Sequence, residues 1–163
     1  MSKLKLRAMM KEPLPTISKQ KTFQYRTTAE EVAALHKILN KLIFDNALST
    51  PEFEVKSNLP KYWGMCYGEW VQEDTVPKVR AIRVMDKWWS KQWLIIVLSH
   101  EMCHQYQWEV LGPQRLLEHK KMLLSHGPSF YIFKEKFKEH GIPIKRQYSR
   151  KRWFKHQSIS KMH

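Results

Sequence analysis

Two cysteines in 163 residues, Cys66 and Cys103, are too few for a disulfide framework, and no CxxC pair suggests a zinc ribbon. Long apolar runs are also absent. The longest, Trp93 to Leu98, falls far below the roughly 18 to 20 residues that cross a bilayer, and no apolar stretch follows the basic start Met-Ser-Lys-Leu-Lys-Leu-Arg, so neither a signal peptide nor an anchor is expected. These absences lead us to expect a reduced, cytoplasmic protein (nucleoid or nuclear if eukaryotic) with one core.

Acids are scarce: 15 Asp and Glu face 29 Lys and Arg, a net charge of +14. The imbalance lies at the ends. Residues 1–22 hold six basic groups against one acid and residues 134–163 ten against two, leaving the middle at +1. A near-neutral body with basic ends suits a polyanionic partner, and DNA is the expected one. Basic ends that merely aid solubility are the plainer alternative.

The sequence divides into a basic flexible arm (1–22), a domain (23–141) and a basic, aromatic-containing tail (142–163). Thr27 and Thr28 each precede a glutamate by three residues, a capping-box pattern that opens a helix through Val32, Leu35, Leu39, Leu42 and Ile43. Glu52–Lys56, Tyr62–Trp70 and Lys78–Met85 read as about three strands. Trp88 to Leu111 shows a one-sided apolar stripe at helical spacing that includes His100 and His104. A second amphipathic segment runs through Leu116, Leu117, Leu123 and Leu124. Pro128 then opens a further helix with Phe130, Phe133 and Phe137 buried. The expected class is therefore α+β, with about four helices and a small antiparallel or mixed sheet.

His100-Glu101-Met102-Cys103-His104 carries the chemistry. An H-E-x-x-H on a helix sets two imidazoles one turn apart, able to grip one Zn²⁺, with the intervening glutamate placed to take a proton from water. Two core histidines hydrogen-bonded to backbone or acids are the competing explanation. A catalytic zinc needs a third protein ligand. The metzincin continuation fails, because Gln107 and Val110 stand where its glycine and third histidine belong. Glu118 and His119 are available, and His126, at the mouth of the next helix, is preferred.

Leu98-Ser99-His100-Glu101-Met102-Cys103-His104, followed by His126-Gly127-Pro128-Ser129-Phe130, resembles the SprT-like domain of SprT and Spartan proteases. The resemblance runs from about Thr27 to Gly141. It implies a zincin-like peptidase with one zinc held by His100, His104 and His126, with Glu101 catalytic, acting on proteins bound or crosslinked to DNA. The interval between His104 and His126 is longer than in Spartan, and the cysteine-rich segment many relatives carry after the domain is missing. DNA contact is therefore expected through Lys145, Arg146, Arg150, Lys151, Arg152, Trp153 and Lys155, which combine phosphate attraction with base stacking.

Other residues invite attention. Cys103 is expected to pack the helix rather than ligate metal, and Trp88, Trp89 and Trp93 to lie in the core. His36 lacks a partner at ligand spacing. Tyr67, Tyr106 and Tyr131 are candidates for stabilising the oxyanion. Two rival classes stand beside the peptidase: a non-catalytic DNA-binding module with a structural metal, and a metal-dependent nucleic-acid hydrolase.

Overall fold

A computed structural model describes residues 2–13, 25–57, 63–69, 77–112 and 126–146. The expected second amphipathic segment, 116–124, lies outside these residues. No helix among them is long and apolar enough to cross a membrane.

The N-terminal arm is not wholly an arm. Lys3–Lys11 forms helix α1, capped by Ser2, whose hydroxyl accepts from Lys5 N at 3.2 Å. Leu6 and Met10, one turn apart, are buried in the core. The Gln92 side chain donates to the carbonyls of Met9 and Glu12, tying the helix end to the start of a later helix. Gly141, at φ 75°, lies against the Met10 carbonyl so closely that a Cβ there would collide with its oxygen.

Tyr25–Arg26 (β1) pairs antiparallel with Lys87–Trp88 (β5). Ala29–Phe44 (α2) begins at Thr28, whose hydroxyl accepts from Glu31 N. The reciprocal half of the expected capping box is replaced. The Glu31 carboxylate accepts from Tyr25 Oη and Thr27 Oγ1 and lies 3.5 Å from Lys91 Nζ, joining the starts of two helices. Burial alone would raise the Glu31 pKa, but the bonds from Tyr25 and Thr27 and the charge of Lys91 bring it below its ordinary value. The helix ends at Asp45 and Asn46, both left-handed, and the Asn40 amide bonds both backbone groups of Leu48 to hold the turn.

Glu52–Lys56 (β2), Gly64–Glu69 (β3) and Lys78–Met85 (β4) form a mixed sheet in the order β2-β4-β3. The β2 and β4 strands are parallel, while β3 and β4 are antiparallel with a register shift between Tyr67 and Gly68. Phe53 pairs with Ile82 and meets the His36 ring of α2, so this face is the covered one. On the other face Arg83 pairs with Glu54 at 2.7 Å and lies over the Tyr67 ring.

The motif helix, α3, spans Lys91–Tyr106 behind the N-cap Ser90. Trp88 and Trp89 precede it, Trp88 belonging to β5, so the expected helix from Trp88 is shortened at its start. Nor does it have one apolar stripe: every residue from Gln92 to Gln105 is buried. It packs against α2, β3 and β4, and a helix enclosed all round need not be amphipathic. Gln107–Leu111 continues it as a single π-turn.

The next described segment begins at His126. Residues 128–133 are turns rather than the expected helix, and α4 spans only Lys134–Glu139. Phe130 and Phe137 are buried as expected, and Phe133 packs against Phe44 and Tyr106. The core does not end at Gly141. Ile142 and Ile144 are also buried, which places the start of the expected tail inside the globular body.

Candidate metal centre

Helical pitch sets His100 and His104 on the same side of α3, their ring centroids 5.1 Å apart. The turn after residue 125 carries His126 to them. Its Nε2 lies 3.2 Å from the Nε2 atoms of both His104 and His100, and the donor atoms of the three residues all lie within 4.8 Å of one another. Phe130 seats the cluster, its ring centroid 4.7 Å from each imidazole. Among the described residues no carboxylate joins this convergent set.

Tautomers follow from the far sides of the rings. His100 Nδ1 lies 2.8 Å from the carbonyl oxygen of Lys145, and His104 Nδ1 lies 2.8 Å from Gln107 Oε1. Both partners accept only, so each Nδ1 carries the proton and donates it. The amide nitrogen of Gln107 is engaged on the other side, Nε2 donating to Ser129 Oγ at 2.7 Å. Each Nε2 therefore presents a lone pair to the common space.

Ring nitrogens 3.2 Å apart need positive charge between them, a proton on His126 Nε2 or a metal ion shared by all three. Tetrahedral nitrogen ligands at zinc's usual bond length of about 2.05 Å sit about 3.3 Å from one another. The donor set thus fits a zinc ion, or another imidazole-preferring first-row cation, and its lack of oxygen donors argues against calcium or magnesium. Burial, and then the neighbouring histidines, holds the His100 pKa down to about 3; burial also lowers His104 to about 4. Both rings are neutral at pH 7, the form that binds metal. His126 is lowered by burial and by the nearby charge of Arg146.

Glu101 is buried, and burial alone pushes its carboxyl up to about 8. Gly64 of β3 makes room for it: a Cβ there would lie 3.2 Å from Glu101 Cγ and 3.3 Å from Oε1. A carboxyl near neutrality suits a group that must both accept and return a proton.

The remaining candidates separate by position. Cys103 is buried, its thiol pushed well up by burial and by Glu101, an inert packing residue. Trp88 and Trp93 are core, and Trp89 packs against it. His36 is engaged by Gln105 at 2.8 Å, within a network in which Glu109 accepts from Ser49, Val79 N and Gln105. Of the three tyrosines, Tyr67 faces Arg83 on the far side of the sheet and Tyr106 packs between Phe44 and Phe133. Tyr131 lies against Phe130, one ring from the cluster. Lys145 is half-buried with its carbonyl on His100, and Arg146 is exposed beside His126. Glu118, His119, Arg150, Lys151, Arg152, Trp153 and Lys155 lie outside the described residues.

Sequence reasoning missed Gln107, Ser129 and Lys145 as supports of the cluster, and Gly64 as the space beside Glu101. The local signal for Gln107 was its place three residues after His104, one helical turn along the same face. The chain matches no family model, no curated protein and no solved structure.

Proposed function

We propose that the chain is a zinc-dependent endopeptidase of the SprT-like, zincin kind, acting on proteins held on DNA. The observation that carries this reading is the convergence of three imidazoles, His126 Nε2 standing 3.2 Å from Nε2 of both His100 and His104, with the opposite nitrogens of His100 and His104 fixed on oxygen acceptors. His100, His104 and His126 would hold one zinc ion and leave a fourth position open, as catalytic rather than structural zinc sites do. When bound, zinc supplies acidification of a water molecule and polarisation of a carbonyl.

The rest falls to the chain's own residues. Glu101, adjacent in sequence to His100 but outside the ligand set, takes the proton from water and returns it to the leaving amine. Its raised pKa favours the second step, and a cation nearby would pull it down for the first. Strand β3 lies at an edge of the sheet order and packs on α3, so an extended peptide paired with it would run beside Glu101.

Support for a DNA-bound substrate comes from charge. Arg7 and Lys11 of α1 and Lys136 of α4 all lie close enough to His140 to depress its pKa, burial contributing most. Arg7, Lys11 and Lys136, from opposite ends of the described chain, thus share one region of the fold, where they suit a phosphate backbone.

The test is cleavage of a DNA-binding protein by zinc-loaded protein, with and without DNA. Cleavage that a chelator abolishes and zinc restores is expected. Tight zinc binding without cleavage of any protein would favour the non-catalytic module, and nicked DNA beside intact protein the nucleic-acid hydrolase.

A further inference from the structure

The motif helix contributes two ligands, and the third arrives on a separate turn, so something must hold that turn in register with the helix. From the hydrogen bonds that span this junction, we infer that Gln107 is a positioning residue that ties His104 to the His126 turn through Ser129, setting the metal affinity of the whole cluster. The inference rests on the reading of the triad as a metal site.

Gln107 is completely buried at the first residue of the π-turn, immediately after α3. Its backbone N–H reaches the carbonyls of both Cys103 and His104, so its main chain is held to the residue it supports. Its side-chain oxygen accepts from His104 Nδ1 at 2.8 Å, while its side-chain nitrogen donates to Ser129 Oγ at 2.7 Å. One planar amide therefore spans the two segments. Ser129 lies three residues beyond His126 and just before Phe130, whose ring touches all three imidazoles. Fixing Ser129 against the helix fixes the turn that aims His126.

Alternatives fit less well. A purely structural glutamine would have no reason to meet the metal-facing histidine at its one protonated nitrogen. A carboxylate there would make the imidazole a stronger donor. The neutral amide leaves the ligand set with no negative charge, and its second arm reaches Ser129. Gln107 thus does two jobs: it selects the His104 tautomer and it bridges to the third ligand.

The test uses the whole 163-residue chain stripped of metal, with zinc affinity read by competition against a chromophoric chelator and ligand geometry read from the visible absorption of the cobalt(II)-loaded form. Gln107→Ala should weaken zinc binding about 10- to 100-fold and alter the cobalt spectrum. Ser129→Ala, the milder change, should weaken it in the same direction. The double variant should be no weaker than Gln107→Ala alone, because both act through one bridge. Gln107→Glu, which still accepts from His104 and can accept from the Ser129 hydroxyl, should recover most of the affinity.

Wild-type zinc affinity in Gln107→Ala, strictly additive losses in the double variant, or failure of Gln107→Glu to recover affinity would each overturn the inference while leaving the metal site standing. If wild-type protein binds no zinc, the metal-site reading itself fails, and this inference with it. Should Gln107→Ala not fold, Ser129→Ala and Gln107→Glu still decide the matter.

Discussion

The carbonyl oxygen of Lys145 stands 2.8 Å from Nδ1 of His100, so the chain beyond the last helix closes onto the first ligand of the motif. Ile142 and Ile144, both buried, hold that stretch in the core. Ile144→Ala should destabilise the protein by about 2–4 kcal/mol and also weaken zinc binding on the order of tenfold, because the acceptor for His100 loses its anchor. Leu6→Ala in α1 removes an equally buried side chain that has no link to the ligands. Denaturant unfolding and zinc competition on both variants separate the effects. Equal zinc affinities in the two would show that the Lys145 carbonyl does not matter to the site.

Glu101→Gln preserves side-chain volume in a buried position, removes the proton acceptor and leaves all three imidazoles in place. The variant should bind one equivalent of zinc and lose peptide cleavage by about 10²- to 10⁴-fold. Metal analysis beside a single-turnover cleavage assay reads both quantities. Near-normal cleavage with zinc bound would remove Glu101 from the mechanism.

How much of this was legible in the sequence depended on the range of each interaction. The pairing of His100 with His104 was readable because helical pitch alone fixes it, and β4 was readable because its Val and Ile residues fall between clear breaks. The Thr28 cap was likewise local. Helix α1 was not, since its buried stripe is essentially Leu6 and Met10 among four basic residues, and only packing against Gln92 and Gly141 gives it a reason to form. The hydrogen bond to His100 is made by the backbone carbonyl of Lys145, which carries no side-chain signature. The arrival of His126 was inferred from a neighbouring apolar face, and its aim depends on Ser129 and Phe130, residues whose roles exist only in three dimensions.

The metal-free protein should have a stability maximum near pH 6.5. His100 and His104 titrate at about 3 and 4 in the fold but at about 6.5 when unfolded, so between these values the unfolded chain holds two more protons through them. Glu101 works the other way: about 8 folded against 4.5 unfolded, it lets the folded chain hold one more proton between those limits. From pH 4.5 to 6.5 the unfolded state therefore keeps a net excess of one proton, and stability rises with pH by about 1.4 kcal/mol per unit. Above 6.5 only Glu101 remains, and stability falls by a similar slope toward pH 8. His36, His126 and His140, also lowered with burial the largest cause, steepen the acid limb. Urea unfolding of chelator-treated protein at pH 5, 6.5 and 8 measures the profile. Glu101→Gln should abolish the alkaline decline, and stability that keeps climbing from 6.5 to 8 in the wild type would contradict the burial of a neutral Glu101.

The grouping of Arg7, Lys11 and Lys136 around His140 makes a prediction about salt. Arg7 and Lys11 are exposed on α1, near His140 and Lys136, while Leu6 and Met10 face the core. Lys136 is partly committed, its Nζ donating to the Ile43 carbonyl, which leaves Arg7 and Lys11 the better partners for phosphate. If they neutralise phosphates, Arg7→Gln with Lys11→Gln should flatten the dependence of log affinity on log salt by about two, roughly one for each charge removed. The weakening should be uniform across DNA sequences, because binding to the phosphate backbone carries no sequence information. Zinc affinity and thermal stability should stay at wild-type values, since neither side chain supports the core or the histidines. Fluorescence anisotropy with short duplexes over a range of salt concentrations measures the slope, and an unchanged slope would assign any DNA binding to other parts of the chain.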